Sequence, residues 1–120
     1  MSKSNKMTNN IIKVNSKKVS ASVDHDHHMV KELRENPGYA EIYLQTALED
    51  IYEPGGIGAF LIVLRQIIDA HGGVGEIAKK SGLSRQHIYR ALSENGNPTL
   101  TTLTEITRAV GVRLASTPCI

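Results

Sequence analysis

Residues 74–93, VGEIAKKSGLSRQHIYRALS, constrain the fold more than any other part of this 120-residue chain. Two helical periods stand here three residues apart. Val74, Ile77 and Ala78 recur as the buried stripe of a short first helix, and Ile88, Ala91 and Leu92 as that of a second. Between them Ser81, Gly82 and Leu83 predict a turn in which Gly takes a positive φ and Leu plugs the core. Ser84 is placed to cap the second helix. A small residue stands where the helices cross (Ala78), Gly follows four positions later, a hydrophobe comes next and another lies five further on. That is the grammar of a helix-turn-helix, and lone αα-hairpins share only parts of it.

The flanking sequence also reads as helix. His27 to Glu35 is a short polar helix candidate carrying Val30 and Leu33. Asn36–Pro37 has the form of a cap followed by a first helical residue. Behind it Ala40, Tyr43, Leu44, Ala47, Leu48 and Ile51 make an amphipathic stripe that Glu53, Pro54, Gly55 and Gly56 end. From about Ile57 to His71 the pattern is apolar on more than one side, with Phe60, Leu61, Leu64, Ile67 and Ile68 on the main face and Ile62 and Val63 off it. Such a helix lies between layers. Gly72 and Gly73 close it. After a turn at Asn95–Pro98, Thr99 is a helix cap for the stripe Leu100, Leu103, Ile106 and Val110, which Gly111 terminates. Val112 and Leu114 alternate with Arg113 as a short strand or extended tail. The expected fold is therefore all-α: a compact bundle of about five helices containing the helix-turn-helix. It carries a flexible basic arm over residues 1–28, a single domain over 29–120 and a short extended C-terminal tail.

Composition excludes several function classes. The single cysteine, Cys119, rules out a disulfide framework and a cysteine-based zinc site. No apolar run approaches the ~18 residues that span a membrane. The N-terminal lysines have no apolar stretch behind them, so no secretory signal is expected and the protein is expected in the cytoplasm, away from membranes. There is no nucleophile–base pair, no phosphate-cradling loop after a strand and no metal quartet, and neither His71 nor His87 has a carboxylate at helical spacing. Neither an enzyme nor a cofactor is expected. The run Asp24, His25, Asp26, His27, His28 has metal-ligating side chains but lacks a second anchoring pair. It is expected to bind metal adventitiously at most, and no metal site is assigned.

Charge is unevenly spread. Residues 1–28 hold five Lys and two Asp, residues 29–73 three basic and seven acidic side chains, and residues 74–120 six basic and three acidic. An acidic middle beside a basic C-terminal block suits two surfaces with different partners, or ordinary solvated helix faces. On the second helix of the motif, Arg85, Gln86, Tyr89 and Arg90 point away from the buried stripe. Arg pairs bidentately with guanine and Gln with adenine in the major groove. Arg85 and Gln86 sit at the helix end that enters that groove. Tyr89 suits a phosphate or a thymine methyl. His87 points partly sideways, as a helper at best. Lys79 and Lys80 are candidates for phosphate contacts, which position without specifying.

Three stretches, YLQTALED (43–50), AFLIVLRQIIDAHGGVGEIAKKSGLSRQHIYRALSENGNPTLTTL (59–103) and GVRL (111–114), resemble the HigA-like probable addiction module antidote family of the Xre/Cro-repressor helix-turn-helix superfamily. The resemblance spans Val30 to Leu114, roughly 70 per cent of the chain. It implies an antitoxin of a type II toxin–antitoxin pair, one that binds a small basic toxin of the RelE/ParE superfamily and represses its own operon on double-stranded operator DNA. By that similarity Ser84, Arg85, Gln86, Tyr89 and Arg90 would read bases, and Asn95, Asn97 and Thr99 would contact the DNA backbone. The 28-residue arm is longer than the family pattern requires. The acidic stretch from Glu32 to Glu53 would suit a basic toxin.

The alternative is a stand-alone, phage-type repressor with no toxin; YLQTALED and its acidic flanks are what such a minimal protein would not need. A helix-turn-helix reduced to a packing unit would have no reason to keep Arg85, Gln86 and Arg90. One helix-turn-helix reads only about half a turn of major groove, so a homodimer is expected. The Val112–Leu114 tail and the exposed side of the 57–71 helix are both candidates for its interface.

Overall fold

The computed structural model describes residues 23–114. Residues 1–22 of the basic arm and 115–120 of the tail lie outside them. The described residues form six helices and no strand: α1 (Val23–Glu35), α2 (Tyr39–Glu49), α3 (Gly56–Ala70), α4 (Gly73–Ser81), α5 (Arg85–Ala91) and α6 (Leu100–Val110). The count is one above the expected five or so, and the polar stretch read as His27–Glu35 is a longer helix of 13 residues.

α3 is the hub. α1, α2 and α4 all pack on it, which is why Phe60, Leu61, Val63, Leu64, Ile67 and Ile68 are all buried. Val63 lies off the main face and is buried nonetheless, as expected of a helix between layers, but Ile62 is exposed. From α3 the chain turns through 92° into α4. Gly72 and Gly73, at φ of 109° and 90°, make that corner, a backbone region L side chains rarely enter. α4 then packs on α5 and α6. One core results, running from Leu33, Ala40 and Leu44 through α3 to Val74, Ile77, Ile88, Leu92, Ile106 and Val110.

Several boundaries differ from the sequence expectation. α1 begins at Val23, so Asp24 to His28 lie in its first turns. Asp24 and Asp26 face the positive end of the helix dipole there. Asn36 does not cap α2. Its backbone N–H donates to Glu32 O at 2.9 Å, its carbonyl accepts from Tyr39 N at 2.9 Å, and Gly38 takes the cap position with no side-chain bond. Asn36–Pro37–Gly38 is thus a tight turn that ends α1. α2 stops at Glu49, before Ile51, through shorter-range bonds from Asp50 N to Ala47 O and from Ile51 N to Leu48 O. Gly56 lies against this turn, where a Cβ would stand 2.2 Å from Asp50 O.

In α6 the stripe rotates. Leu100 is 67% exposed, while Thr102 and Thr107 are buried beside Ile106 and Val110. Leu100 lies roughly 120° around the helix from Ile106, so an i, i+3 spacing from Leu103 does not bring it to the core. Thr107 survives burial because its hydroxyl donates to Leu103 O at 2.9 Å. Beyond Gly111 (φ 79°) the tail is irregular backbone. Val112 is buried, and the Arg113 backbone N–H and Nε donate to Glu41 Oε2 at 3.2 and 3.1 Å, tying the tail to α2.

One polar chain crosses the helical layers. The Tyr43 hydroxyl donates to Gln66 Oε1 at 2.5 Å, and Gln66 Nε2 donates to Asp26 Oδ1 at 2.7 Å. α2, α3 and α1 are joined through Gln66, which is only 4% exposed. Burial, with Tyr39 and Asp26 nearby, pushes the Tyr43 phenol up to about 12. Asp26 therefore serves a packed hydrogen bond.

Candidate nucleic-acid interface

α4 and α5 are joined by a turn held by local hydrogen bonds. Gly82 sits at φ 82° and donates its N–H to Ala78 O at 3.0 Å, and Leu83 N donates to Ser81 Oγ at 3.2 Å. The Leu83 side chain packs partly buried against the core. Ser84 holds an extended backbone, and its Oγ accepts from His87 N at 3.0 Å. The Ser84 oxygen is thus a helix cap, with its O–H proton left to donate outward. The expected stripes are both present: Val74 and Ile77 are buried on α4 with Ala78 partly so, and Ile88, Ala91 and Leu92 are buried on and just after α5.

α5 is only seven residues long, so its buried side settles what its other side presents. Arg85, Gln86, Tyr89 and Arg90 are all exposed. The Arg85 guanidinium lies back across α4 at Gly75, where an added Cβ would come within 2.9 Å of its Nη2. The absent Cβ at Gly75 makes room for it. Arg90 forms no ion pair among the described residues, and neither does Lys79. Lys80 lies 3.8 Å from Glu76 Oε2 one turn back on α4, an exposed pair of small energetic weight. Both lysines are exposed at the C-terminal end of α4.

Asn95 and Asn97 are exposed in the loop after α5, on either side of Gly96. A Cβ at Gly96 would stand 2.2 Å from Ala91 O, so the loop lies against the last turn of α5 and only glycine fits. Thr99 caps α6: its Oγ1 accepts from Thr102 N at 3.1 Å and donates to Thr102 Oγ1 at 3.1 Å. The hydroxyl of Thr99 is accordingly occupied inside the protein.

His87 is the residue whose role the sequence left open. Its Nε2 lies 3.2 Å from Thr102 Oγ1, which extends the Thr99–Thr102 contact into a link between α5 and the start of α6. Fifteen residues separate the pair, so no local spacing reveals it. The structure thus brings Arg85, Gln86, Tyr89 and Arg90 onto one side of α5 and sets the Asn95–Thr99 loop at that helix's far end. Guanidinium forks, an amide and a phenol exposed on one short helix can make bidentate contacts to base edges and hydrogen bonds to phosphates. Lysines on the preceding helix add charge.

The chain matches the family model for probable addiction module antidote proteins over residues 25–118. It is similar to an uncharacterised protein of Haemophilus influenzae, at 32% identity over 74 residues, covering 62% of this chain and 75% of that one. No solved structure matches.

Proposed function

Because the chain belongs to the family of probable addiction module antidote proteins, we propose that it is the antitoxin of a type II toxin–antitoxin pair, neutralising a small basic RelE/ParE-like toxin by direct binding and repressing its own operon as a DNA-bound homodimer. The observation that carries the DNA half is the exposed side of α5. Arg85, Gln86, Tyr89 and Arg90 are exposed, while Ile88, Ala91 and Leu92 are buried, on a helix whose start is fixed by the Ser84 cap. In this reading the four side chains, with the Ser84 hydroxyl, read the major groove as the second helix of a helix-turn-helix. Lys79, Lys80, Asn95 and Asn97 contact phosphates, while Thr99 keeps the loop in place. The protein works in the cytoplasm, on the nucleoid when bound to its operator.

The toxin half rests on family membership and on the acidic α1–α2 region. The test is co-expression of the chain, tagged, with the product of the adjacent reading frame, followed by native mass spectrometry. A stoichiometric small basic partner supports the antitoxin reading. A clean homodimer beside a soluble, expressed neighbour moves the protein to the class of stand-alone repressors.

A further inference from the structure

α1 and α2 splay apart around the Asn36–Pro37–Gly38 turn and leave a groove of about 620 Å³. Its apolar surface comes from Met29, Pro37, Tyr39 and Ile42, and its carboxylates from Glu32 and Glu35. Ile42 is 61% exposed although it lies on a helix that buries Ala40 and Leu44 on its other side. No Lys or Arg lines the groove, and neither Glu32 nor Glu35 has an ion-pair partner among the described residues. The charge extends further. Residues 24–56 hold eight carboxylates and two cations, whereas residues 74–114 hold six cations and three carboxylates. An exposed apolar strip flanked by unneutralised carboxylates is complementary to a segment that brings an apolar anchor and positive charge together. It is unsuited to DNA, whose phosphates the same carboxylates repel.

We infer that the groove between α1 and α2 is the surface that captures the toxin, taking a Lys/Arg-rich amphipathic segment of that partner onto Tyr39 and Ile42 with its cations on Glu32 and Glu35. This rests on the antitoxin reading and assigns its two activities to separate surfaces: α1 and α2 pack on α3, whereas the DNA-facing α5 packs on α4. Toxin and operator can then be bound by one chain at once.

The test uses the full chain and the purified product of the adjacent reading frame, with affinity measured for both that protein and operator DNA. Two groove variants are compared: Glu32→Lys/Glu35→Lys, and the charge-neutral Ile42→Ser at an exposed position. The control, Glu49→Lys/Glu53→Lys, reverses the same charge in the same acidic region but outside the groove. Both groove variants are expected to weaken the partner by about tenfold or more and the control by less than about threefold. Operator affinity and the thermal midpoint should hold for all three. Groove variants that bind the partner like wild type would overturn the inference, and so would a control that loses as much as they do, since the general field would then suffice. Either result leaves the antitoxin reading standing, because wild type still holds its partner. Loss of the homodimer in groove variants that keep the partner would give the groove to a second copy. A wild-type chain that holds no partner removes this inference together with the reading beneath it.

Discussion

Gly96 and Gly75 do different work with the same missing atom. At Gly96 a Cβ would meet the backbone carbonyl of Ala91 at 2.2 Å, and a carbonyl at the end of a helix cannot step aside without moving the helix. Gly96→Ala is expected to destabilise the protein by about 1–3 kcal/mol, checked by the denaturation midpoint. At Gly75 the neighbour is the end of a flexible Arg85 side chain, so the consequence is a shift of that guanidinium. Arg85 itself belongs to the proposed base-reading set. Arg85→Ala should cost about 1–3 kcal/mol on operator DNA and relax the preference at one base position. Titrations against operator and random DNA decide this: equal losses on both would make Arg85 a phosphate contact.

At the scale of an element, α5 is too short to hold itself. Seven residues lie far below the length at which an isolated helix is stable in water. Its existence depends on Ile88, Ala91 and Leu92 against the core and on the Ser84 cap at its start. Ser84→Ala removes the acceptor for His87 N and is expected to cost about 1 kcal/mol of stability. Operator binding should fall with it, because the cap sets where Arg85 and Gln86 begin. Thermal melts and DNA affinity on the same preparation test both. A variant that loses stability but not affinity would show that DNA rebuilds the helix start. Both caps, Ser84 and Thr99, were legible in the sequence, because a cap is a local interaction between a side chain and the backbone three residues on. The failed cap at Asn36 shows the limit of that rule: its side-chain Nδ2 is turned back onto the preceding helix, 3.4 Å from Glu32 O and 3.5 Å from Glu32 Oε1, instead of its amide facing the start of α2.

For the whole molecule, the Tyr43–Gln66–Asp26 chain gives stability an alkaline limit. The Tyr43 phenol ionises near 10 in the unfolded chain and near 12 in the folded one. The unfolded state therefore loses its proton first, and stability present below about pH 10 declines as pH rises through about 12. Tyr43→Phe leaves Gln66 Oε1 buried without its donor, at a cost of about 1–3 kcal/mol. It should also flatten that alkaline decline, which denaturant titrations across pH 9–12 would register. An unchanged decline would place the limit on another group.

The helices, most of their ends and the two facing stripes of α4 and α5 were legible in the residues alone. These follow from periodicity and from glycines at positive φ, both of which act within a few residues of chain. The exposed set Arg85, Gln86, Tyr89 and Arg90 was legible too, since burying Ile88, Ala91 and Leu92 on so short a helix leaves them no other direction. Tertiary structure alone decided the rest. It rotated Leu100 out of the α6 stripe and put Thr102 and Thr107 inside. It gave His87 a partner on α6, drew Asp26 from a histidine-rich run into a hydrogen bond with Gln66, and folded Arg85 over Gly75. Each of these joins residues that are distant in sequence or depends on the angle at which two helices meet. That angle is set by how whole faces pack, and no local spacing records it.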